Sequence, residues 1–344
     1  SDVYKRQTLQ IENLYRGKTG FDYRTNIEYT VAADGSILVN STIIPSTKGV
    51  IIPRIGYRME LPEGFERMRW YGRGPLENYV DRKDATYVGV YDELVSDQWV
   101  NYVRAQEMGN REDLRWISIT NPDGIGFVFI AGDKMSASAL HATAQDMVDP
   151  ANHRRLLHKY EVPMRKETVL CLDANQRPLG NASCGPGPMQ KYELRSQPTV
   201  FSFIILPLER SYSTEELIKK ARVQMPVCMP VLIERDNNGY LNLKTNTPGA
   251  TVHYSLNGGE EKIYTEPFEF ISGGHVEAYA VSEQLGKSAR TSAEFPIYVD
   301  RSLWKIVSVS SENGGEEARN AIDGDLNTIC LLYTSPSPRD LSTS

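Results

Sequence analysis

Cysteine is scarce in this sequence: four residues in 344, at positions 171, 184, 228 and 330. They show no C-x-x-C spacing, so neither a disulfide framework nor a zinc site is indicated. Long apolar runs are missing too. The longest strand-like one, Val200 to Leu206, falls far short of the roughly 20 residues that a membrane-spanning helix needs. Basic clusters are also absent. The 38 Lys and Arg are outnumbered by 44 Asp and Glu, giving a net charge of −6, which argues against nucleic acid as a partner. Helical periodicity is nearly lacking, and this argues against alternating β and α units and hence against a (β/α)₈ barrel.

What remains is an ordinary globular composition, 40% hydrophobic and 24% charged, with length for two or three domains. Short segments rich in β-branched and aromatic residues read as strands at 26–29, 37–44, 54–61, 67–71, 116–120, 126–130 and 199–206. Turns such as Ala33-Asp34-Gly35 and Pro122-Asp123-Gly124 separate them. This spacing predicts an all-β fold built as a large antiparallel sandwich. One helix is predicted over 213–222, where Ser213 and Glu216 have capping-box spacing ahead of Leu217 and Ile218. Met225-Pro226 through Met229-Pro230 reads as a linker, and 230–299 as a second, smaller all-β unit with strands at 240–244, 251–256, 267–271, 275–281 and 292–299.

Two motifs are long enough to be specific: W-Y-G-R-G-P-L-E-N-Y-V-D-R at Trp70 to Arg82, and Q-E-M-G-N-R-E-D-L-R-W at Gln106 to Trp116. In these the chain resembles the C-terminal β-domain of family 2 β-galactosidases. The resemblance implies a galactose mutarotase-like supersandwich over 8–222 and a linker over 223–229. It implies a retaining hydrolase of terminal β-D-galactosides whose catalytic glutamates lie in a barrel outside this chain. The segment 230–299 resembles the immunoglobulin-like domain at the C-terminus of chitobiases and hexosaminidases. The stretch 300–329, with W-K-I-V-S-V-S-S-E-N and A-I-D-G-D-L-N-T, resembles the opening of a discoidin-like carbohydrate-binding module. Residues 1–7 and 330–344 resemble translated sequencing adapter and are set aside. The natural sequence is then expected to continue beyond both ends of 8–329.

Retaining hydrolysis needs two carboxyl groups about 5–5.5 Å apart. Glu77 and Asp81 invite that reading, but carboxylates in a Gly/Pro-rich stretch more commonly fix turns, and Asp81 and Arg82 are expected to hold a loop. Trp70, Tyr71, Tyr79, Tyr87 and Tyr91 are candidate sugar platforms, because an aromatic face packs on the C–H side of a pyranose. At alternating strand positions they read as core, Trp70 and Trp116 above all. The loop G-N-A-S-C-G-P-G-P at Gly180 to Pro188 has the Gly and Pro content of an irregular surface loop. It resembles the β-galactosidase loop that reaches the active-site mouth, where many members carry a tryptophan. Cys184 stands in that place, and Asn181, Ser183 and Cys184 are the substrate-binding candidates. A rigid turn with a half-buried cysteine is an equal reading of the same residues.

His153 and His158 are five residues apart, not the i, i+4 of a helical metal pair, and no metal site is expected. A mutarotase would need a histidine acid and a glutamate base across the sugar ring, and no paired His and Glu motif is visible among His141, His153 and His158. The expected partners are a β-galactoside, the catalytic barrel of the same polypeptide and further copies of the chain. No cofactor is expected in this portion; the resemblance implies Mg and Na ions bound elsewhere. The accessory modules favour a periplasmic or secreted bacterial protein. A stand-alone carbohydrate-binding protein and a mutarotase-type epimerase are the rival readings.

Overall fold

The computed structural model describes residues 7–18, 20–180, 185–224, 228–236, 238–245, 247–283, 285–300, 304–309 and 317–322. Twelve strands precede the helix: β1 (Gln7–Tyr15), β2 (Tyr23–Val31), β3 (Ile37–Pro45), β4 (Arg54–Leu61), β5 (Arg67–Gly74), β6 (Tyr87–Leu94), β7 (Arg111–Thr120), β8 (Ile125–Leu140), β9 (Val148–Asp149), β10 (Asn152–Leu156), β11 (Thr168–Gln176) and β12 (Thr199–Glu209). Ten of them join one antiparallel sheet in the order β1-β2-β3-β12-β8-β7-β5-β6, with β11 leaving β8 to carry β4. The fork arises because β8 is 16 residues long. Its first half pairs with β12 and β7, and Ser136 to Leu140 pair with β11.

Period-two alternation assigns the two faces. On β8 and β12, Phe129, Ala131, Phe201 and Phe203 enter the main core with Leu170 and Leu172 of β11 and Trp70 and Leu114. Val128, Ile130, Ile204 and Leu206 turn the other way, with Trp116, and are covered by Leu217 and Ala221 of α1 (Thr214–Gln224). The helix starts at the predicted capping box: Ser213 N donates to Glu216 Oε2 at 2.7 Å and Glu216 N to Ser213 Oγ at 3.2 Å.

The remaining strands form two smaller antiparallel sheets. One holds β13 (Leu232–Arg235), β14 (Tyr240–Lys244) and β17 (Phe268–Glu269). The other holds β15 (Thr251–Leu256), β16 (Lys262–Ile263), β18 (Gly274–Ser282), β19 (Gly286–Lys287) and β20 (Thr291–Phe295). Val231, Leu241, Tyr254, Val276 and Ala293 share a separate core between them. Asn257 and Gly258, both at positive φ, make the turn that the Asn-Gly pair predicts. Strand β1 begins at Gln7, at the edge of the stretch set aside by sequence, and pairs with β2 along its whole length.

Candidate functional site

The two sequence motifs meet at one end of the first sandwich. Asn78 N donates to Asn110 O at 2.8 Å, Asn110 Nδ2 returns to Asn78 O at 2.9 Å, and Glu112 N donates to Asn78 Oδ1 at 2.8 Å. Glu77 accepts from Arg82 Nη2 at 2.7 Å, from Gly109 N at 2.8 Å and from the Tyr102 hydroxyl. Both of its oxygens are thus spent on loop geometry. The Asp81 Oδ1 is buried without a hydrogen-bond partner among the described residues. Arg82, as expected, holds the loop, and its guanidinium lies 4.7 Å from the centre of the Tyr79 ring.

Arg111 is the buried cation of this end. Its Nη2 donates to Gln98 Oε1 at 2.6 Å, its Nη1 to Gly109 O and Asn110 O, and its guanidinium sits 5.0 Å from the Trp70 ring centre. Burial lowers its pKa from the usual arginine value, and Glu93 at 3.7 Å offsets this. Asp113 takes the left-handed conformation at φ 55° and is held there by Arg73 at 2.6 Å and Lys83 at 3.4 Å. Trp70 and Trp116 are core residues, as the sequence predicts, and Tyr79 is buried too. Tyr71 and Tyr91 are partly buried, and of the five candidate platforms only Tyr87 is largely exposed.

Beside this network stands a second ionic group, which sequence reasoning missed. Arg54, at the start of β4, donates from Nε and Nη2 to Asp173 at 3.1 and 2.5 Å and from Nη1 to Glu107 at 3.3 Å. It ties the end of β11 to the second motif. Gly56 permits this approach: a Cβ there would fall 2.3 Å from Asp173 Oδ1 and 2.2 Å from Leu172 O. Burial pushes the Asp173 carboxyl up to about 6 against the pull of Arg54. Burial likewise raises Glu112 to about 7, although Asn110 Nδ2 donates to it at 2.9 Å. No short-range pattern marks this group, since its members lie on separate strands and loops.

Directly after β11 the chain enters the Gly/Pro loop. Arg177 N donates to Pro53 O at 2.8 Å, and Arg177 closes the loop base by a two-pronged ion pair with Glu193 at 2.6 and 2.7 Å. Asn181, Ser183 and Cys184 lie outside the described residues.

The histidines do not make a mutarotase pair. His141 is brought to Glu66, a contact the sequence did not reveal, but Nε2 meets Oε2 directly at 2.7 Å and Nδ1 meets Glu167 O at 3.0 Å. No space for a sugar separates the two groups. His158 bonds Val103 O through Nδ1, and His153 is exposed. Among the described residues no three His, Cys, Asp or Glu side chains converge as a metal-ligand set.

Comparisons with known proteins agree with the motifs. Residues 3–205 match the family described as Beta galactosidase small chain, a match that includes part of the N-terminal stretch set aside by sequence. The β-galactosidase of Priestia megaterium is 31% identical over 154 residues, covering 45% of this chain and 14% of that protein. The β-galactosidase BgaC of Bifidobacterium adolescentis is 31% identical over 199 residues, covering 56% and 18%. That of Kluyveromyces lactis is 31% identical over 151 residues, covering 44% and 14%. The chain therefore spans less than a fifth of these relatives. With more than half of its residues matched, it belongs to the β-galactosidase small-chain family.

Proposed function

We propose that this chain is the non-catalytic C-terminal portion of a retaining β-galactosidase and that it shapes the mouth of an active site whose two glutamates lie elsewhere in a longer polypeptide. One observation carries the reading: Arg54 joins the strand that launches the 177–193 loop to Glu107 of the second motif. The family's most specific residues and the loop thus share one end of the sandwich. Asn181, Ser183 and Cys184 are the residues we assign to substrate, with Cys184 leaving the aglycone side without an aromatic stacking surface. Residues 230–299 act as an immunoglobulin-like accessory unit behind the linker at 223–229, and 300–329 begin a discoidin-like module. Residues 1–7 and 330–344 are foreign to the natural protein. Any Mg or Na ions are bound by the missing portion, and the whole protein is periplasmic or secreted.

The test is to recover the complete gene and compare its product with the 344-residue chain on a nitrophenyl β-D-galactoside. The complete product is expected to hydrolyse it with retention, and the short chain not at all. Turnover by the short chain alone, or none by the complete product, overturns the reading. In the complete enzyme, Cys184→Trp is expected to change KM among substrates differing in aglycone more than it changes hydrolysis of the shared galactosyl intermediate. Equal effects on both remove the loop from the leaving-group side.

A further inference from the structure

Segments 99–108 and 147–162 form a satellite unit with a core of its own, in which Met108, Met147, Leu157 and Val162 pack together. Its outward tip is apolar and rigidly held. Val103 is 82% exposed and Tyr160 is 84% exposed. His158 locks them side by side: its Nδ1 bonds Val103 O at 2.7 Å, and its ring stacks on Tyr160 with centroids 5.3 Å apart and planes within 9°. Beneath, Glu161 accepts from His158 N at 2.8 Å, and Arg155 is clamped between Asp149 and Glu161 at 2.9 and 2.5 Å. Arg104 and Lys159 are fixed by uncharged partners, Leu156 O and Asn101 Oδ1. With Arg154 they make a positive rim on an acidic chain, and among the described residues none of the three forms an ion pair.

A large apolar tip exposed to water is costly, and an ordered one with a charged rim has the anatomy of an interface anchor. We infer that the Val103–Tyr160 tip docks the larger, catalytic portion of the β-galactosidase polypeptide, seating in an apolar slot with an acidic rim. This rests on the proposed function above. Two observations choose that occupant. The relatives are several times longer than this chain, so most of the polypeptide remains to be contacted. The tip is also continuous with the motif network, because the neighbouring Tyr102 hydroxyl bonds Glu77 and accepts from Arg82 at 3.0 Å.

The test places a thiol at the tip, by Tyr160→Cys and separately Val103→Cys, and measures maleimide labelling in the 344-residue chain and in the complete gene product. The short chain supplies the reference rate for each site. In the complete product labelling is expected to slow by at least about tenfold, as at a desolvated interface core. Rates within about twofold of each other in an active complete product overturn the docking surface and leave the proposed function standing. A complete product that lacks hydrolysis, or a gene that encodes no larger portion, removes both. A Tyr160→Ser, Val103→Ser double variant with unchanged melting of the short chain is expected to lower the melting temperature of the complete enzyme; no shift also counts against the surface.

Discussion

The strands of 7–209 and those of 232–295 are both antiparallel, both alternate in and out, and both enclose an apolar core, yet they bury different kinds of polar group. In the second region the buried polar side chains are hydroxyls: Thr247, Ser282, Ser288 and Thr291. Its charges stay outside, where Lys287 lies 3.6 Å and Arg290 4.8 Å from the Tyr279 ring centre and His253 stacks on the same ring. The first region buries Arg69, Arg111 and Asp173 together with Asn78, Asn110, Gln98 and Gln176. Withdrawing a charge from water costs more than a well-packed apolar group of the same size, so such groups are weak evidence for stability. Here they fix geometry: Arg111, Asn110 and Asn78 hold the two motifs in register, and Arg54 and Asp173 fix where the 177–193 loop leaves the sheet.

The comparison breaks first if the core beneath the motifs is removed. Trp70 packs on Tyr91 with centroids 5.2 Å apart, donates Nε1 to Arg73 O at 3.0 Å and underlies Arg111. Trp70→Ala is expected to destabilise the first region by about 3–5 kcal/mol in chemical denaturation, the usual range for a buried Trp, while the second region's transition stays in place. Arg54→Met comes next. It strands Asp173, whose side chain is only 2% exposed, and about 3 kcal/mol should be lost near pH 8. Adding Asp173→Asn should recover part of that loss, because the stranded charge goes with it. A loss within error for the single variant would mean that the pair does not anchor β11.

These two residues also mark what the sequence makes legible. The strands at 37–44, 54–61 and 199–206 and the capped helix were readable because alternation and capping are local signals. Trp70 and Trp116 were readable as core from their strand positions. Strands β1, β6, β11 and β13 were not picked out. β11 reads Thr-Val-Leu-Cys-Leu-Asp and buries side chains on both faces between β4 and β8, so it lacks the clean alternation of a half-exposed strand. The motifs were visible as patterns, but their partners were not: Arg54 reaches Asp173 across 119 positions, and Glu66 meets His141 across 75. Such pairs exist only once the sheet order is set.

A pH series sharpens the contrast. Glu112 is raised from 4.5 to about 7 in the folded chain, so the fold favours its protonated form. A raised carboxyl contributes most below its unfolded pKa, and that contribution is lost as pH rises through the folded value. Stability of the first region should therefore fall between about pH 4.5 and 7, with Asp173, raised from 3.8 to about 6, acting in the same direction over the lower part of that window. Glu112→Gln keeps the acceptor for Asn110 Nδ2 and removes the charge. It should raise the urea midpoint near pH 8 by the equivalent of about 1–2 kcal/mol and leave it nearly unchanged near pH 4. A variant with the same pH slope as the parent would show that Glu112 is not the titrating group. Asp146 works the other way. Its bonds to Arg165 hold its carboxyl down at about 2, so its contribution disappears only as pH falls from 3.8 through that value.

The smallest change tests the second region's side of the comparison. Thr291 is buried on β20, and its hydroxyl donates to Val231 O at 2.7 Å, with Ala278 O at 3.3 Å as the alternative acceptor. Val231 is itself buried, so the hydroxyl satisfies a carbonyl that water does not reach. Thr291→Val preserves shape and branching and deletes only that donor. The expected loss is about 1 kcal/mol, the net worth of one neutral hydrogen bond, confined to the second transition in a denaturation followed by probes in each region. The confinement matters more than the size. Met229 packs within 2.9 Å of where a Cβ on Gly132 would stand, and Asn26 Nδ2 donates to Ser292 Oγ at 3.3 Å, so the two regions do touch. If Thr291→Val moved both transitions equally, those contacts would couple the regions into one cooperative unit, and the buried charges of the first would be stabilised in part by the apolar core of the second.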